Sequence, residues 1–161
     1  MQRDYILRLI EQLGEFLARI VHQRERHAPQ EALQSIMAAC ERLFGMEAVQ
    51  IFQFTPDQHV AMLTDGEPPE NARDKVLMYA ALNVEAGECY LTLNQPQLAQ
   101  QSFLNALRLT LKARRQFPSD AAYPEFAPRV PALLARLGDA PLDPDTAAAL
   151  ADNASDDRTP N

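Results

Sequence analysis

Three histidines, two cysteines and one run of cations are the residues of this chain whose types could do chemistry, and their spacing decides how much. His22 and His27 are five apart, whereas two metal ligands on one helix face need a spacing of three or four, and His59 stands alone. No metal site is predicted. Cys40 and Cys89 lie far apart among apolar neighbours, without the paired spacing of a metal or redox motif, which predicts two buried free thiols. Glu88, Cys89 and Tyr90 place an acid, a thiol and a phenol side by side, a set that could serve proton transfer and nucleophilic attack. Adjacent helix residues point in different directions, however, and no second acid or base is placed beside them. The chain carries no glycine-rich phosphate loop, nucleophile elbow or dinucleotide fingerprint. The expectation is a protein with no catalytic residues and no cofactor.

Arg108, Lys112, Arg114 and Arg115 form the one basic cluster. It lacks interleaved aromatics and stands in a chain of net charge -7, so it gives no electrostatic footprint for nucleic acid. Its place in the last turns of a predicted helix offers another role, since cations there complement the carbonyl end of the dipole. Residues 139–161 hold six Asp and one Arg, which leaves the rest of the chain nearly neutral.

The elements that would position these residues are helices. Hydrophobic residues make up 47% of the 161, and glycines number only five, which suits helices joined by short loops rather than a turn-rich β fold. Tyr5, Ile6, Leu9, Ile10, Leu13, Phe16, Leu17, Ile20 and Val21 give a first helix, about 4–24, with an unusually wide apolar stripe. So broad a face calls for a central position or a second copy of the chain, and the first is favoured. Arg3, Arg8 and Arg19 edge it, but Asp4, Glu11 and Glu15 share the polar side and weaken any attraction to an anionic membrane.

Pro29 opens a second helix that Gly45 stops. Helix is also expected over 47–66, where Thr55-Pro56-Asp57-Gln58 carries a capping box. Long helices follow at about 71–93 and from Pro96 to Phe117. A further helix spans Tyr123 to Gly138, and a short alanine-rich turn, Thr146 to Ala151, precedes a disordered remainder. No apolar run reaches signal-peptide or spanning length, so a cytoplasmic protein is expected.

Gly87, Tyr90, Ala99, Phe103 and Ala106, with Asn94 at the turn, stand at the offsets of a tetratricopeptide-type helix pair. This is a packing code: small residues let two antiparallel helices approach, and the aromatics fill the space around them. Residues 29–40 echo residues 96–107 with six of twelve identities, and Ala32, Ile36 and Ala39 take the slots of Ala99, Phe103 and Ala106. The preceding helix does not repeat, since Ile20 and Gln23 stand opposite Gly87 and Tyr90.

The opening Asp4-Tyr5-Ile6-Leu7-Arg8-Leu9-Ile10-Glu11-Gln12, with Leu17-Ala18-Arg19-Ile20, resembles the start of a family of uncharacterised bacterial proteins whose second half is tetratricopeptide-like. That resemblance implies a fold and no activity. The expectation is therefore an all-α, right-handed α-α bundle of tetratricopeptide-like antiparallel pairs with about six or seven helices over residues 1–138, followed by an acidic tail, 139–161. Its leading use is a non-catalytic protein–protein interaction scaffold, in which a groove edged by Lys75, Tyr79, Asn83 and Gln101 receives a peptide or partner helix. A homodimer through the first helix, and a small-molecule binder or enzyme, are the alternatives.

Overall fold

The computed structural model describes residues 2–156, and among these the chain is all-helical: α1 (Gln2–Glu25), α2 (Pro29–Phe44), α3 (Ala48–Gln53), α4 (Pro56–Thr64), α5 (Pro69–Thr92), α6 (Pro96–Gln116), α7 (Val130–Leu137) and α8 (Pro144–Asp156). Proline begins five of these helices, where its missing N–H costs nothing and its fixed φ suits the first turn. Gly45 ends α2 in the left-handed conformation at φ 67°, its N–H donating to the Glu41 carbonyl and the following Met46 N–H to that of Cys40. Asn94 turns α5 into α6 at φ 56°, a conformation asparagine tolerates better than most side chains. The stretch 47–66 is helical in two short pieces, each opened by a capping box: Glu47 with Gln50, and Thr55 with Gln58.

α5 is the centre of the molecule. Its residues from Val76 to Leu82 are all buried, and it packs against α1, α2, α4 and α6. The α5–α6 pair closes tightly at Gly87, where an added Cβ would lie 2.6 Å from Cε1 of Phe103. Glycine is required there by space. Ala99, Phe103 and Ala106 are buried on the facing side of α6, and Ala32, Ile36 and Ala39 are buried at the corresponding positions of α2.

The wide face of α1 is covered within the chain. Ile6, Leu9, Leu13 and Ile20 are buried, Ile10, Phe16 and Leu17 pack on the same core, and α2 and α5 are the covering helices. Leu7, 52% exposed, and Tyr5 are the only large apolar residues that α1 leaves to solvent among those described. Arg3 does not edge a free apolar face, because its guanidinium meets Asp74 at 2.9 Å and Glu70 at 3.4 Å. Asp74 is wholly buried and also accepts from Arg73 Nε and Nη2 at 3.2 and 3.1 Å. Arg73 donates in turn to the carbonyls of Ala121 and Ala122. No helix among the described residues is long and apolar enough to cross a membrane.

Two boundaries depart from the sequence expectation, and the described residues form eight helices. α7 begins at Val130 rather than Tyr123, because Pro124 and Pro128 keep the residues before them out of the α region. Arg114 stacks on the Tyr123 ring at 4.5 Å instead. The acidic tail is not a tail through Asp156. Thr146–Ala151 belongs to α8, thirteen residues long, and Ala140, Leu142, Ala149 and Leu150 join a core with α6 and α7. Asp143 accepts from the Thr146 N–H at 3.1 Å and caps this helix, which makes the signal a capping aspartate rather than an apolar stripe. The expected disorder of residues 157–161 lies outside the described residues.

Candidate functional site

α2, α5 and α6 run side by side with α5 lowest, so that their facing stripes form a partly open trough of about 550 Å³. Each helix lines it through one face: Leu33, Ile36, Met37 and Cys40 from α2; Tyr79, Leu82, Asn83, Ala86 and Tyr90 from α5; Leu98, Gln101, Ser102, Asn105 and Arg108 from α6. These spacings of three, four and seven place the residues on one side of each helix. α3 and the start of α4 close the end near Tyr79, contributing Ile51, Phe54 and His59. One wall is therefore apolar and the other carries carboxamides.

His59 is buried at the closed end. Its Nε2 lies 2.9 Å from the Gln50 carbonyl, which can only accept, so Nε2 carries the proton and Nδ1 accepts from the Tyr79 hydroxyl at 3.2 Å. Tyr79 also packs edge-on against Phe44 and against the His59 ring. Burial raises the Tyr79 phenol above its ordinary range and pushes the Cys40 thiol up to about 12. Both stay protonated at neutral pH. The trough thus offers hydrogen bonds and apolar contact, and no ready thiolate or phenolate nucleophile.

Of the four groove residues expected from sequence, Tyr79, Asn83 and Gln101 line the trough together. Lys75 does not. It sits one turn beyond Tyr79 on α5, past the end that α4 closes, and pairs with Glu67 at 3.3 Å. Tyr90 and Phe103 fill space around the α5–α6 contact as their offsets predict, with Tyr90 also reaching the trough. His59, Asn105 and Met37 were not foreseen. Asn105 and Arg108 continue the Gln101 stripe at four and seven, a polar periodicity opposite the core stripe of α6; His59 has no local signal, because its partners come from α3 and α5.

The Glu88-Cys89-Tyr90 run is dispersed. Glu88 meets Arg136 at 2.7 Å and Arg24 at 3.8 Å, and Cys89 points into the core with its thiol pushed up to about 11 by burial. Next to Glu88, burial also raises the Glu85 carboxyl, opposed by Arg24 at 3.2 Å. His22 and His27 join no cluster, and no group of three or more potential metal ligands occurs among the described residues. The basic cluster is spent inside the chain: Arg108 on Asp143 at 2.7 Å, Arg114 on Asn153 at 2.6 Å, Arg115 on Asp152 at 3.7 Å, and Lys112 on Asp57.

A family-model scan and searches of curated proteins and of solved structures return no match to this chain.

Proposed function

We propose that this chain is a non-catalytic protein–protein interaction scaffold of tetratricopeptide-like helix pairs, and that the trough between α2, α5 and α6 receives a segment of a partner protein. The observation that carries this reading is the lining. A chain with 22 Asp and Glu puts none of them, and no Lys, into the trough, whose one charged side chain, Arg108, is already paired. Apolar side chains on one wall would anchor a partner's side chains by burial. Gln53, Asn83, Gln101 and Asn105 each offer both a donor and an acceptor, the complement of a peptide group. Phe54 and Leu98, two of the large apolar residues left to solvent, stand at the trough.

A photo-crosslinking residue placed at Leu98 or Gln101 tests this in cells, with the exposed Glu15 of α1 as control. Discrete adducts with another protein at both trough positions, and none at Glu15, are expected. Adducts only with a second copy of the chain, or the same pattern at Glu15, would refute the assignment.

A further inference from the structure

α8 is seated differently from the helix before it. The shorter α7 buries Val130, Leu133 and Leu137, whereas α8 buries a single residue among those described, Thr146, at 5% exposure. Polar ties hold it to α6: Asp143 and Thr146 to Arg108, Asn153 to Arg114, and Asp152 to Arg115. Between the two helices and the start of α4 lies a cavity of about 660 Å³, bounded by Leu111, Lys112 and Gln116 below and by Ala148 and Ala149 above. This cleft is open to solvent, so α8 meets α6 over only part of its face and lacks the row of fully buried apolar side chains that seats α7. Beyond the half-buried Ala149 and Leu150, its hold is charge complementarity between a basic face and an acidic helix, which salt weakens.

We propose that α8 is a displaceable acidic strap, and that the face of α6 bearing Arg108, Lys112, Arg114 and Arg115 receives an acidic helical segment of a partner protein in its place. The occupant is defined by what α8 and its cap present: Asp143 and Asp152 flanking alanine and leucine, a pattern that fits Arg108 and Arg115, two turns apart on α6, with Arg114 and Lys112 adding positive charge to the same stretch. This surface is distinct from the trough, but Arg108 lines both. Departure of Asp143 would leave its guanidinium unpaired at the trough wall, so exchange of the strap would change the charge that the trough shows.

The probe is a fluorescein-labelled peptide of residues 143–156, added to the full chain and to the Asp143→Lys/Asp152→Lys variant. Binding to the variant is expected to be about tenfold tighter or more, because the strap no longer competes, and to be lost when Lys112→Glu and Arg115→Glu are added. Hydrogen exchange on the unaltered chain gives an independent readout: α8 amides should exchange faster than those of α7, and faster still between about 50 mM and about 500 mM NaCl. Equal binding to both chains, no binding to either, or α8 protected as well as α7 at the higher salt would overturn the proposal. Displacement of the probe by a DNA oligomer of the same charge as readily as by unlabelled peptide would overturn the assignment to an acidic helix. Should the variant lose its helical circular dichroism, the exchange comparison decides alone.

Discussion

Gly87 and Gly14 are both interior to helices, yet the same substitution should move stability in opposite directions. Replacing a helical glycine with alanine removes backbone freedom from the unfolded chain and gains about 1 kcal/mol where there is room. At Gly14, on the exposed side of α1, nothing lies within 4 Å of an added Cβ, so Gly14→Ala should stabilise by about 0.5–1 kcal/mol. At Gly87 the Cβ would lie 2.6, 2.7 and 2.9 Å from three ring atoms of Phe103, and that ring is 1% exposed with Arg136 over its face. Overpacking of this kind costs roughly 1–3 kcal/mol, which outweighs the propensity gain and leaves Gly87→Ala about 1 kcal/mol less stable. Urea unfolding followed by circular dichroism reads both values. Adding Phe103→Leu supplies the internal check, because leucine lacks the ring atoms nearest the glycine. The double-mutant cycle should return about 2 kcal/mol of favourable coupling, the overpacking that the smaller side chain removes. If Gly87→Ala stabilises as much as Gly14→Ala, the helices have room to spare at this contact and the close-approach argument is wrong.

Asp74→Asn should cost about 3–5 kcal/mol by urea unfolding, because it leaves Arg73, only 4% exposed, without its anion. A loss below about 1 kcal/mol would show that the Ala121 and Ala122 carbonyls suffice for Arg73. Cys40 and Cys89 should react with a thiol reagent no faster than the chain opens, since thiols held at about 12 and about 11 carry almost no thiolate at neutral pH. Fast modification of either in the folded protein would contradict their burial. Asp143 is held well below the usual carboxylate range, first by the Thr146 hydroxyl and then by Arg108. Its contribution is therefore complete above the unfolded value near 3.8 and fades as pH falls below it, so α8 amides should lose protection in acid before those of α5 do. An α8 that keeps its protection at pH 2–3 would show that its apolar contacts hold it unaided.

What sequence could reach was set by how local the cause is. α2 and α6 are legible because a proline, a glycine or asparagine, and an apolar stripe all lie inside the segment. The Gly87–Phe103 contact is legible because its two residues sit at fixed offsets from one turn. Asn83 and Gln101, which line the trough, are polar positions beside the packing stripes of α5 and α6. Lys75 fails because its surroundings depend on where α4 crosses α5, which nothing near Lys75 encodes. α8 fails for a related reason: its stability comes from a capping aspartate and from cations on α6, about thirty-five residues away, so its alanine-rich, acidic composition reads as disorder when taken alone. His59 reads as isolated because a carbonyl and a phenol from two other helices supply its partners.

The ion group at Asp74 has a consequence for how the molecule comes apart. In an open stack of repeats each unit touches only its neighbours, and the ends can melt without the middle. Here one carboxylate is shared between Arg3, at the first turn of α1, and Arg73, which grips the loop just after α6. The start of the chain and the connection into α7 are thus fastened to the same atom pair on the central helix. Releasing α1 would leave Asp74 with Arg73 alone, and releasing the loop would take two carbonyl partners from Arg73, so the hold at each end bears on the other. Opening at α1 is thereby coupled through the central helix to opening of the loop after α6, by an ion group in which α8 has no part.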